Sequence, residues 1–130
     1  MAQYRVNSGD NASIRTFQAS ADLSASAGLP VADSSGKIAV NTSNTTRNVG
    51  ILKEAAGTAT TAACAVVIDG PIQAIADGTI GEGDDLAASA TGVEASTDKG
   101  DRWVGQALED AADGDLVWIN VNLGRVGTYA

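Results

Sequence analysis

Between residues 29 and 123 one series of landmarks occurs twice, about 55 residues apart, and this repetition requires two copies of one small folding unit. The first copy reads Leu29-Pro-Val-Ala-Asp-Ser-Ser-Gly36-Lys-Ile-Ala-Val-Asn41, then Val49-Gly50-Ile-Leu-Lys-Glu54-Ala-Ala56, then the apolar run Ala62-Ala-Cys-Ala-Val-Val-Ile68-Asp-Gly70. The second reads Leu86-Ala-Ala-Ser-Ala-Thr-Gly92-Val-Glu-Ala-Ser96, then Val104-Gly105-Gln-Ala-Leu-Glu109-Asp-Ala-Ala112, then Asp113-Gly-Asp-Leu-Val-Trp-Ile-Asn-Val-Asn122. Gly36 precedes Gly50 by 14 residues and Gly92 precedes Gly105 by 13, so order and spacing agree closely. Duplicated units of this size bury one another's apolar faces. Two copies are too few for a solenoid, and the expected product is one compact β domain.

The punctuation between landmarks is that of an all-β chain. Ser35-Gly36, Asp69-Gly70-Pro71, Asp77-Gly78, Gly81-Glu82-Gly83, Thr91-Gly92, Lys99-Gly100 and Asp113-Gly114 interrupt it at short intervals. Gly and Asp supply the left-handed and turn conformations that tight connections need. Candidate strands lie between them at 37–41, 47–53, 62–68, 71–76, 92–96, 102–109 and 115–123, which predicts a mainly β fold, a small barrel or sandwich. Residues 52–56 and 108–112 have the composition of a helical turn, but Gly stops each within a few positions and both read more simply as loops. In the last strand Val117, Ile119, Val121 and Leu123 line the face assigned to the core. Leu116 and Trp118 fall on the opposite face, either beneath another segment or at an oligomer interface.

Residues 1–28 stand apart. They are rich in Ser, Ala, Asn and Gln, show no sustained period, and hold isolated apolar anchors at Tyr4, Val6, Ile14, Phe17 and Leu23. They read as an extended N-terminal arm ahead of a β domain at 29–130, whose pseudo-repeats span about 29–70 and 86–123. Such an arm either lies along a partner, by strand addition or pocket filling, or completes the domain's own sheet. On the first reading Tyr4, Arg5, Val6, Ile14, Arg15 and Phe17 make the contact, the two arginines pairing with partner carboxylates.

At 130 residues the chain is one domain by length, able to bury roughly two-thirds of its unfolded surface. Its apolar content of 44% is mostly aliphatic, which predicts a thin core that draws stability from partner subunits. Sixteen acidic residues against eight scattered basic ones give a net charge of −8, which disfavours nucleic acid and anionic membrane surfaces. No stretch approaches the ~18 consecutive apolar residues of a membrane span, and no signal-like apolar segment opens the chain, so synthesis in a cytosol is expected. The sequence has no histidine, which removes the commonest general base, Ser-His and Cys-His nucleophiles and most zinc sites. Cys64, alone and inside an apolar run, reads as a small core residue with no disulfide partner. Glu82, Asp84, Asp85, Asp110, Asp113 and Asp115 match no calcium-loop spacing and read as turn formers, and the glycines form no phosphate-binding pattern. Neither enzyme chemistry nor a metal, cofactor or small-molecule substrate is expected.

The run from Gly83 to Gly92, followed by Trp103-Val-Gly-Gln-Ala-Leu-Glu-Asp-Ala-Ala-Asp-Gly-Asp-Leu-Val-Trp-Ile-Asn-Val121, follows the series G-D-x-L … G … V-G-x-A-L-x-x-A-x-x-G-D-x-V-x-V. In this series the chain resembles, over about residues 29–123, the small decoration or cement proteins of tailed-bacteriophage capsids. The resemblance implies a β-tulip-like barrel and a virion protein, made in the bacterial host cytoplasm. It implies binding to the major capsid protein on the capsid exterior as homotrimers near three-fold axes, stabilising contacts between neighbouring subunits. Composition alone admits two other readings. A fibre or adhesin-like module would more often show a longer repeat array, and a carbohydrate-binding β module would rely on Trp103, Trp118 and Tyr129 as its aromatic candidates.

Overall fold

The computed structural model describes residues 5–97 and 100–123, and its regular elements are nine β-strands. They are β1 (Ser13–Gln18), β2 (Pro30–Ser34), β3 (Lys37–Val40), β4 (Gly50–Ala55), β5 (Ala63–Ile75), β6 (Asp85–Ala88), β7 (Val93–Ala95), β8 (Trp103–Ala107) and β9 (Leu116–Asn122). All strand pairs are antiparallel, in one curled sheet of order β3-β2-β4-β5-β9-β8-β6-β7, with β1 paired to β5. The mainly β architecture predicted from turn punctuation is the one observed.

The strand order reads the same from either end, because the duplication is more extensive than the sequence series suggested. Hairpin β2–β3 pairs Val31 with Val40 and Asp33 with Ile38, while hairpin β6–β7 pairs Leu86 with Ala95 and Ala88 with Val93, each member displaced by 55 residues. Val31 faces Gly50 as Leu86 faces Gly105. β1 and the first half of β5 match the second half of β5 and β9. The pairs Ile14–Val67, Arg15–Val66 and Phe17–Cys64 correspond to Pro71–Asn120, Ile72–Ile119 and Ala74–Val117. Connecting hydrogen bonds recur as well. Gly28 N donates to Leu52 O at 2.8 Å and Gly83 N to Ala107 O at 2.9 Å, and Ser20 N donates to Ile38 O at 2.9 Å as Asp77 N does to Val93 O at 2.8 Å.

Three expectations are corrected by this arrangement. Residues 5–28 are not an arm detached from the domain: Ser13–Gln18 is the first strand of the first repeat, and Val6, Ala19, Leu23 and Ala27 are buried. The alternative in which this segment completes the domain's own sheet is the observed one. The strands expected at 62–68 and 71–76 are one strand, since the last strand of the first repeat runs through Gly70, at φ +98°, into the first strand of the second. Gly36 and Gly92 are not equivalent either. Gly36 is a turn residue at φ +85° in open space, whereas a Cβ on Gly92 would run into the carbonyl of Ile75. The Val-Gly landmarks are true equivalents, with one steric cause: a Cβ on Gly50 would collide with the carbonyl oxygen of Val67, and one on Gly105 with that of Asn120.

Burial follows the alternation. Val117, Ile119 and Val121 are fully buried, as their shared face predicts. They join Ile72, Ala74, Leu86, Val93, Val104 and Ala107 in the main core, closed by Val6, Ala27, Ile51 and Val67 from the first repeat and the N-terminal segment. Ile51 and Val67 therefore present one face of the first repeat to the inner face of the second. The first repeat's own inner residues, Val31, Ile38, Leu52, Cys64 and Val66, form a smaller second core, roofed by Ala19, Leu23 and the half-buried Phe17.

Candidate functional site

The roof over the second core is incomplete. Between β1, the 47–49 segment and the end of β9 lies a concavity of about 420 Å³, lined by Arg15, Phe17, Asp33, Arg47, Asn48, Val49, Ile68 and Leu123. Its apolar floor exists because Phe17 and Ile68 occupy the repeat positions that Ala74 and Val121 hold in the main core, where the same surface is covered. Its rim is charged: Arg15, Arg47 and Asp33 are all exposed. β1 above it is exposed at every residue except Phe17, and Ile14, at 46%, is one of two large apolar side chains most open to solvent.

The other is Leu108, also at 46%. Its amide donates to Trp118 O at 2.8 Å, and Trp118 N donates to Glu109 Oε2 at 3.0 Å, so residues 108–109 carry the β8 side of the pairing one step further along β9, to Trp118. Trp118 is half-buried there, next to Gln73 on β5, and Leu116 is half-buried against the edge of the main core.

The residues singled out from sequence thus part company. Arg15 and Phe17 come together on one face of β1, with Ile14 on the opposite face, and Leu116 and Trp118 together on β9. Val6 lies 2% exposed inside the main core, which removes its side chain as an outward anchor. Arg5 is 4.0 Å from Glu54 in an exposed ion pair, and Tyr4 lies outside the described residues. Arg47 and Asp33 were missed by sequence reading, because their approach to β1 depends on how the repeats fold.

Buried polar groups are matched internally. Asn41 Nδ2 donates to Asn48 Oδ1 at 2.8 Å, and at the equivalent place in the second repeat Trp103 Nε1 donates to Ser96 Oγ at 3.0 Å, while Ser96 Oγ donates to Asp101 Oδ2 at 2.8 Å. The turn carboxylates accept backbone amides: Asp84 from Gly81 at 2.8 Å, Asp110 from Glu82 at 2.7 Å and Asp113 from Gly78 at 2.8 Å. Among the described residues no three His, Cys, Asp or Glu side chains gather as a metal site. Burial pushes the Cys64 thiol above its ordinary range, the opposite of what a nucleophile requires.

A duplicated, curled sheet closed by its own N-terminal segment can be compared with solved structures. It shares its fold with a phage head-fibre base. The match is to the N base of head fibre protein gp8.5 of bacteriophage phi29, with a TM-score of 0.66 and 21% identity, covering 85% of this chain and 93% of that one. No protein-family model and no curated protein matches the sequence.

Proposed function

We propose that this chain is a non-enzymatic structural protein of a phage virion. It sits on the capsid exterior, binds the major capsid protein and stabilises contacts between capsid subunits, as a homotrimer near three-fold axes. The observation that carries this reading is the fold shared with a head-fibre base along nearly the whole of both chains. The missing histidine, the inert buried Cys64 and the net charge of −8 support a role in protein contacts over catalysis or nucleic-acid binding. Trimer contacts fall to Leu116 and Trp118 with the neighbouring Leu108, and capsid contacts to Ile14, Arg15 and Phe17 on β1. A trimer engaging several subunits makes later contacts intramolecular, which raises avidity by roughly 10² to 10⁴ over one site.

The same structural likeness favours one second reading, a base that carries a fibre. Cryo-electron microscopy of particles of the phage encoding this chain, beside a deletion mutant, tests both. Compact knobs near three-fold axes that vanish on deletion are expected. Density continuing outward from the knob selects the fibre base, and absence of the chain from purified particles refutes a virion role.

A further inference from the structure

The two repeats differ at the outer edge of their first strands. In the second repeat this edge, on the C-terminal half of β5, is occupied by the chain itself. Gly9 N donates to Pro71 O at 2.9 Å, Gln73 N to Asn7 O at 2.9 Å and Ile75 N to Gly28 O at 3.0 Å, and Ser8 bridges Ile72 in antiparallel register. The equivalent groups in the first repeat are Ile14 O, Thr16 N and Gln18 N on β1. They point away from β5 and have no partner among the described residues. Apart from its C-terminal end, where Ala19 bridges Ile38 of β3, β1 is thus an edge strand with no proline, lysine or covering segment on its outer side, the protections that edge strands ordinarily have.

We propose that the outer edge of β1 is a strand-acceptor site that takes an extended segment of a partner protein carrying acidic and small apolar side chains. The molecule contains the filled version of the site: residues 7–9, Asn-Ser-Gly, close the matching edge by backbone pairing, with Asn7 N also donating to Gln73 Oε1 at 3.2 Å. A strand laid beside β1 presents every second side chain toward the concavity below it. Phe17, Val49, Ile68 and Leu123 receive the apolar ones there, and Arg15 and Arg47 face the acidic ones. Neither arginine is in an ion pair among the described residues, although the chain as a whole is acidic. Main-chain pairing supplies affinity and the alternate side chains supply specificity. For the partner's identity as a capsid protein the inference rests on the function proposed above.

The test uses Thr16→Pro, which deletes one outward N–H, a position where an edge strand tolerates proline, and a second variant, Arg15→Glu with Arg47→Glu, which reverses two exposed charges. Both are assayed in the full chain by circular dichroism, light scattering and occupancy on phage particles. Both should fold, and occupancy should fall at least ten-fold for Thr16→Pro and several-fold for the charge reversal. If Thr16→Pro does not fold, the charge reversal decides. Wild-type occupancy of a folded Thr16→Pro variant, or of the charge reversal when it alone decides, overturns the acceptor site while leaving the virion role intact. Absence of the wild-type chain from particles overturns the virion role, and the capsid partner with it. A wild-type oligomer that Thr16→Pro dissociates without loss of occupancy makes a second copy the occupant, which also overturns the proposal.

Discussion

Replacing Gly50 and Gly105 by alanine, one at a time, tests the duplication at its most demanding point. In each case the new Cβ would meet a backbone carbonyl oxygen of the next strand, that of Val67 or Asn120, and the carbonyl carbon follows at 3.1 Å or 3.0 Å. A flexible side chain relieves such a contact by turning away. A carbonyl inside a paired strand has to move with its ladder, so the cost belongs at the upper end of overpacking, about 3 kcal/mol. The narrower unfolded ensemble of alanine offsets about 0.4–1 kcal/mol of that, leaving about 2–2.5 kcal/mol. For a domain of this size each kcal/mol lowers Tm by about 4 °C, so both variants should melt about 8–10 °C below wild type in differential scanning calorimetry. Gly57→Ala is the control, since nothing lies within 4 Å of its Cβ position; it should match or slightly exceed wild type. Melting of both variants within about 2 °C of wild type, or sensitivity at only one of the two sites, would refute the structural equivalence of the two Val-Gly positions.

Ser96→Ala leaves the Trp103 indole N–H and the Asp101 carboxylate each short of a buried partner and should cost about 1–3 kcal/mol in urea unfolding; an unchanged midpoint would show that water replaces the hydroxyl. Cys64, fully buried with its thiol pushed up by burial, should resist iodoacetamide at pH values near 8 until the chain is unfolded in urea; rapid labelling of the native protein would show that the second core opens locally. If the chain forms the proposed trimer, Trp118→Asp should shift it toward monomer by on the order of 2 kcal/mol or more, read by light scattering across a concentration series. A wild-type chain already monomeric at micromolar concentration would remove the β9 face as an oligomer contact.

Local chemistry was enough to place much of the chain. The alternation in Val117, Ile119 and Val121 assigns a buried face because the side-chain period of a strand is two whatever it pairs with. The Val-Gly repeats announced a duplicated unit because one steric demand, a neighbouring carbonyl where a Cβ would sit, selects glycine in both copies. The carboxylates at 84, 110 and 113 were legible as turn formers, being acceptors beside amides that turns expose. What the sequence left open depended on partners far along the chain. β1 shows no amphipathic period, being exposed on both faces except at Phe17, and it is a strand only because residues about 50 positions later pair with it. Asp69-Gly70-Pro71 looks like a turn, yet the strand continues through it, held by Asn120 and Val121 on β9 and by Gly9 across the Pro71 carbonyl. Val6 resembled a surface anchor until tertiary packing set it against the main core. The concavity under β1 and the unpaired edge above it are likewise products of packing: the same surface is covered in the second repeat and open in the first, because only the second has the first repeat's outer face and the N-terminal segment laid against it.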